Sequence, residues 1–290
     1  MGKGTAFSIT ASLLFGGLYY LSTTLSPLSG EAIYGFRIWV SLPFVISAIF
    51  LFKQTAQFKQ FLLQLLAQPK LVAILCLTAA ITGSQMWLFV WAPNNNAAID
   101  VSIGYLLMPI TMVAVGYFVF KERLSMFKIL ALIFAIMGIS MTILAQGSLS
   151  WTTLMVLIGY PVYFSLRKYF GISHLSSFVC EIILMLPIAT YFAFQADISS
   201  IIQQNPNFPI ALTILGVVSG LALISYIMAS SLISINLLGL LSYIEPFAML
   251  LVSFIIGETL NEDAYLLMFC LSIAILFLII DGIVVLKKQK

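Results

Sequence analysis

Histidine and cysteine are nearly absent and charge is scarce. His174 is the sole imidazole, and Cys76, Cys180 and Cys270 stand far apart inside apolar runs, which removes a clustered metal site and a disulfide framework. No glycine-rich loop of the Walker or dinucleotide type occurs, so this chain alone does not drive pumping with ATP, and no cofactor is implied. Only 8% of the 290 residues are charged, against roughly 25% in an ordinary soluble domain. A water-soluble monomer of this size would expose roughly 12,000 Å², far more surface than so few charges keep dissolved. The net charge of +3 does not point to nucleic acid, because almost every basic residue marks topology.

What is abundant is apolar sequence, 62% of the chain. At about 20 apolar residues per crossing, the runs between polar punctuation predict an all-α polytopic membrane protein of ten helices, near 4–25, 31–52, 70–92, 98–120, 126–144, 151–169, 174–195, 208–233, 236–256 and 263–286. The basic residues test that count independently. With loops assigned alternately to two sides, Lys3, Lys53, Lys59, Lys70, Lys121, Arg123, Lys128, Arg167, Lys168, Lys287, Lys288 and Lys290 all fall on one side, and the other receives none. The positive-inside rule makes that side cytoplasmic and places both termini there.

Arg37 is the basic residue outside this set, and its position exposes an internal repeat. Arg37 and Pro43 in the second span match Glu181 and Pro187 in the seventh; Gly83, Ala92 and Pro109 recur in order as Gly220, Ala229 and Pro246, and Glu122 and Leu124 as Glu258 and Leu260. Two five-helix repeats follow, 1–146 and 147–290. Because five is odd, the second enters the membrane from the opposite face. Inverted repeats of this kind are typical of secondary transporters, which bind substrate near the midplane and alternate its access.

Candidate site residues follow from the cost of polarity in hydrocarbon. An ionisable group there costs about 2.5–3.5 kcal/mol on insertion scales and should face an interior or a cavity. Arg37, Glu181 and Glu245 lie roughly 9–13 Å from the nearer membrane face at 1.5 Å of rise per residue. They are read either as a structural ion pair, Arg37 with Glu245, or as a site in which Arg37 engages a substrate carboxylate while Glu245 or Glu181 exchanges protons. Asp281 is expected to snorkel toward the cytoplasmic lysines. Pro109 and Pro246 are expected either to kink their helices for packing or to open a turn that releases the Tyr105 carbonyl toward a cavity. Trp87 and Trp91, four apart and leading to Asn94 and Asn95, suit a wall for an amphipathic organic solute, or else helix packing. Tyr160, Tyr163 and Tyr243 are further candidates.

The ten-span duplicated layout resembles the drug/metabolite transporter superfamily, and the run from Tyr243-Ile244-Glu245-Pro246 through Gly257-Glu258-Thr259-Leu260 is similar to its EamA-type repeat ending. More specifically, the stretch from Trp87 to Ile110 resembles the RarD proteins, with Trp91, Ala92, Asn94, Asn95, Ser102, Gly104, Tyr105 and Pro109 carrying the likeness. The first repeat departs from the pattern at Lys121-Glu122-Arg123, where a glycine usually precedes the glutamate, and the second is one residue shorter between its proline and glutamate. The resemblance implies an inner-membrane permease or exporter of a small organic metabolite, amino acid or drug, with its site among spans one, three, four, six, eight and nine. A channel or sensory protein without carrier activity is the rival reading. An enzyme is a weaker rival, since no convergent nucleophile and base occur.

Overall fold

A computed structural model describes residues 2–233, 237–238, 241–262 and 264–288. Among them lie twelve α-helices: α1 (Lys3–Leu21), α2 (Gly30–Leu51), α3 (Thr55–Ala67), α4 (Pro69–Trp91), α5 (Ala98–Phe118), α6 (Met126–Gln146), α7 (Trp151–Tyr169), α8 (Leu175–Phe194), α9 (Ile198–Gln204), α10 (Phe208–Leu232), α11 (Ile244–Ile255) and α12 (Ala264–Lys288). Eight of them, α1, α2, α4, α5, α6, α8, α10 and α12, are long and apolar enough to cross a membrane. The chain is an all-helical, multi-pass membrane protein. α7 has the length of a span at 19 residues, but Tyr160, Ser165, Arg167 and Lys168 dilute its apolar character. α11 has 12 residues, and the beginning of the predicted ninth span, at 236, 239 and 240, lies outside the described residues, as does Lys290.

The helix ends follow local chemistry. Ser29 accepts a hydrogen bond from the Ala32 N–H and Ser125 one from the Lys128 N–H, capping α2 and α6. Gly147, at φ 82°, ends α6 in the left-handed conformation that glycine adopts without a steric penalty. Two predicted loops contain helices, because apolar residues at helical spacing organise α3 and an Asp197 cap starts α9. α5 runs helical through Pro109, and Pro246 falls in the first turn of α11, where a missing N–H is tolerated.

The chain forms two compact units, each drawing on both halves of the sequence. One comprises residues 1–16, 96–161 and 226–290, the other 17–95 and 162–225. In the first unit α6 packs along α12 and α5 along α11. Both pairs run antiparallel: Lys128 meets Asp281 while Gly138 lies against Leu267 and Cys270, and Ala98 meets Glu258 while Ser102 lies 3.3 Å from Ser253. Leu106, Leu107, Ile110, Leu250, Leu271 and Ala274 form its apolar core. In the second unit α2 and α4 both pack on α8. Gly30 touches Trp91 whereas Arg37 reaches the Met86 carbonyl, so α4 opposes α2. Thr78 bonds Glu181 and Gly83 faces Met185, so α4 runs with α8, and α2 and α8 are antiparallel.

Candidate functional site

In the second unit a fully buried carboxylate, Glu181, sits in the second turn of α8. Thr78 Oγ1 on α4 donates to its Oε1 at 2.6 Å. Its Oε2 receives the Tyr163 hydroxyl at 2.9 Å and Arg167 Nη1 at 2.5 Å, both from α7. Arg167 also donates to the Tyr163 hydroxyl at 2.7 Å, and through Nη2 to the His174 carbonyl and Ser177 Oγ, each at 3.0 Å. The charge pattern counts Arg167 among the cytoplasmic loop cations, yet it is 7% exposed and neutralises Glu181. Burying two charges is tolerable only with this geometry, in which each carboxylate oxygen is satisfied. The spacing of α7 and α8 in sequence could not show that their polar positions face one another.

His174 closes the same cluster from outside the span. Its Nδ1 accepts the Ser177 N–H at 3.2 Å, capping α8, and Phe61 of α3 stands edge-on to its ring at 4.7 Å. Burial and the Arg167 guanidinium hold the imidazole below the usual histidine range, so its neutral, accepting form is favoured.

Arg37, on α2, is 5% exposed. Its guanidinium lies over the Phe89 ring at 5.0 Å, and Nη1 donates to the Met86 carbonyl at 3.5 Å. Trp87 and Trp91 are half-buried, with ring centroids 5.4 Å apart, and the Trp87 indole donates to Glu31 at 3.3 Å. Asn94 and Asn95 turn their amides inward to backbone: Asn94 Nδ2 donates to the Val90 and Ser22 carbonyls, and Asn95 Nδ2 to the Trp91 carbonyl. The bonds to Val90 and Trp91 satisfy helix-end carbonyls of α4. Next to this wall a cleft of about 280 Å³ opens between the start of α2, the end of α8 and α9, lined in part by Ser29, Glu31, Gln195 and Asp197.

The remaining predicted residues lie in the first unit. Tyr105, on α5, is buried, and its hydroxyl pairs with that of half-buried Tyr160 at 2.7 Å. Tyr243 is buried, Glu245 is half-buried in the first turn of α11, and Glu245 acts electrostatically on Tyr226. Glu258 accepts both the Ala98 and Ile99 N–H groups, at 2.8 and 2.7 Å, and so anchors the N-terminus of α5. Asp281 corrects its expectation. It is 6% exposed, accepts from Ser125 Oγ and lies 3.9 Å from Lys128. Instead of snorkelling, it is held at the N-terminus of α6, where helix partial charge and the Ser125 cap both favour an anion. Among the described residues no group of three or more histidine, cysteine, aspartate or glutamate side chains could hold a metal ion.

No family model matches the chain. An uncharacterized transporter of Pasteurella multocida is 49% identical over 289 residues, covering 100% of this chain and 99% of its own. The chloramphenicol-sensitive protein RarD of Pseudomonas aeruginosa is 32% identical over 290 residues, covering 99% and 97%. The chain belongs to the RarD-type transporter family. A protein named RarD from Salmonella typhi is 24% identical over 291 residues. A solved crystal structure with 17% identity superposes over 97% of this chain and 99% of its own at a TM-score of 0.56, a likeness of fold alone. Membership of the RarD-type family carries transport in a membrane as the general activity. Neither the Pasteurella protein's name nor the Pseudomonas one says which solute this chain handles.

Proposed function

We propose that this RarD-type chain is a secondary carrier of the bacterial inner membrane, with both termini cytoplasmic, that moves a small organic solute outward by alternating access through ten spans arranged as two inverted repeats. The observation that carries the reading is where distant loops meet. Asn205 bonds the Thr24 and Ser26 carbonyls, Asn94 the Ser22 carbonyl, and Glu258 the α5 N-terminus; a ten-span chain puts all of these on the outer side. Phe61 meets His174 and Ser125 meets Asp281, all on the inner side. If α7 did not cross, Phe61 and His174 would lie on opposite faces. If the segment ending in α11 did not cross, Glu258 and Ala98 would be separated likewise. Inversion has separate support: α2 and α8, α5 and α11, and α6 and α12 occupy matching places in the two repeats, and each pair is antiparallel.

In this reading Arg37 receives a carboxylate of the solute, and the half-buried Trp87 and Trp91 of the same unit offer it aromatic surface. Tyr163, Asn94 and Asn95 shape the walls in that unit, and Tyr105, Tyr160 and Tyr243 are solute contacts within the first unit. Glu245, half-buried in the first turn of α11, exchanges the coupling proton, with Glu181 the next candidate. Purified protein in liposomes, screened against amino acids, peptides and amphenicols, should show trans-stimulated exchange of at least one solute. Glu245→Gln should abolish accumulation driven by a pH gradient while leaving exchange partly intact. Flux without trans-stimulation would favour a channel, and accumulation by the Glu245→Gln protein would make that residue structural.

A further inference from the structure

The segment joining α2 to α4 is a helix with three distinct flanks. At about 100° per residue, Phe58, Phe61 and Leu65 of α3 share one flank, Leu62, Leu63 and Leu66 the next, and Gln57, Gln60 and Gln64 the third. The first flank is built into the protein: Phe61 is buried against Leu75, Ile172 and Cys180, with Phe58 and Leu65 packed on the same cluster. The second points away from it, with Leu62 41%, Leu63 58% and Leu66 82% exposed. Lys59 lies within the leucine arc, and Lys53 and Lys70 bracket the helix. All three lysines are exposed, and no acidic residue occurs between Glu31 and Asp100.

Short tethers from the ends of two membrane spans keep α3 at the membrane surface, since α2 ends at Leu51 and α4 begins at Pro69. An aqueous position would leave the leucine flank in water, and a spanning position would bury three glutamines. Only an in-plane position satisfies all three flanks, with lysine stems covering apolar surface and their ammonium groups raised to the headgroups. We propose that α3 lies in the headgroup layer, with Leu62, Leu63 and Leu66 among the acyl chain ends and Lys53, Lys59 and Lys70 holding anionic phospholipid. The partner is a lipid of negative headgroup, because the local charge is wholly positive and apolar surface adjoins it. Through Phe61 and the His174 ring, this lipid contact also supports the cap of α8.

The test uses the full chain, with Cys76, Cys180 and Cys270 replaced by alanine, in vesicles of phosphatidylglycerol and phosphatidylcholine. Nitroxides at Leu63→Cys and Leu66→Cys should relax faster with oxygen than with a water-soluble nickel chelate, and one at Gln64→Cys the reverse. In a second arm, spin-labelled phosphatidylglycerol should be held at the protein boundary in preference to labelled phosphatidylcholine. The combined Lys53→Gln, Lys59→Gln and Lys70→Gln variant should lower that preference by a factor of about five per lysine at low salt. Inorganic phosphate should not displace the lipid. Nickel access at Leu66 equal to that at Gln64, an unchanged lipid preference in the triple variant, or displacement by phosphate would each overturn the proposal.

Discussion

Arg167 and Glu181 illustrate how little a buried charge reveals when taken alone. Each is costly in hydrocarbon, and together with Tyr163, Thr78 and Ser177 they form a closed set of donors and acceptors. Removing one partner strands the other, which typically costs about 3–5 kcal/mol, whereas replacing both with apolar groups of similar volume is often neutral. Arg167→Met and Glu181→Leu should therefore each lower the thermal unfolding temperature of the detergent-purified protein sharply. The double variant should recover most of that loss. Strictly additive losses would mean that the pair does not act as a unit. Arg37 lies over the Phe89 ring and donates to the Met86 carbonyl.

Among the helices, the crossing of α2 and α8 depends on the missing side chain of Gly35. A Cβ there would lie 2.4 Å from the Ala189 carbonyl oxygen and 2.9 Å from the Ala193 nitrogen. Both are backbone atoms and cannot swing aside, and small residues of this kind let membrane helices approach closely. Gly35→Ala should destabilise by about 1–3 kcal/mol, measured as a fall in unfolding temperature. Gly17→Ala, where a Cβ meets nothing within 4 Å, should be neutral or stabilising. The cap of α8 makes a second prediction. Because His174 binds a proton less readily folded than unfolded, the unfolded chain gains protons first as pH drops. Stability should thus be level above about pH 6.5 and decline as pH falls below it. His174→Asn keeps a capping acceptor without titrating, so the decline between about pH 7 and 5 should flatten. An unchanged profile would locate the pH sensitivity elsewhere.

For the whole molecule the sharpest expectation is sidedness. In a cysteine-free background, Ser148→Cys should react with an impermeant thiol reagent applied to intact cells, and Thr55→Cys should react only after the membrane is breached. Labelling at Thr55 from outside would reverse the orientation. The two compact units interleave the halves of the sequence, so the proposed repeats and the packing describe different partitions of the same chain. A repeat is a record in sequence order, whereas a compact unit collects whichever helices bury each other's faces.

The amino-acid sequence by itself determined the solvent, the helical class and the position of most crossings, because burying backbone in lipid leaves few alternatives to an apolar helix of about 20 residues. It also supplied Glu181 as a deep ionisable group. It did not supply the partner: Arg167 reads as one more basic residue at a helix end, and only the packing of α7 beside α8 turns it inward. Asp281 has the same history, since its proximity to the terminal lysines suggests solvent while the fold delivers it to the start of α6. Asn94 and Asn95 read as lining groups from sequence, and the end of α4 adds which carbonyls they satisfy. Local composition determines whether a residue can enter the membrane at low cost. Which neighbour meets it there depends on how the helices pack, whether the partners are 14 residues apart, as Arg167 and Glu181 are, or 156, as Ser125 and Asp281 are, and that is decided by tertiary structure.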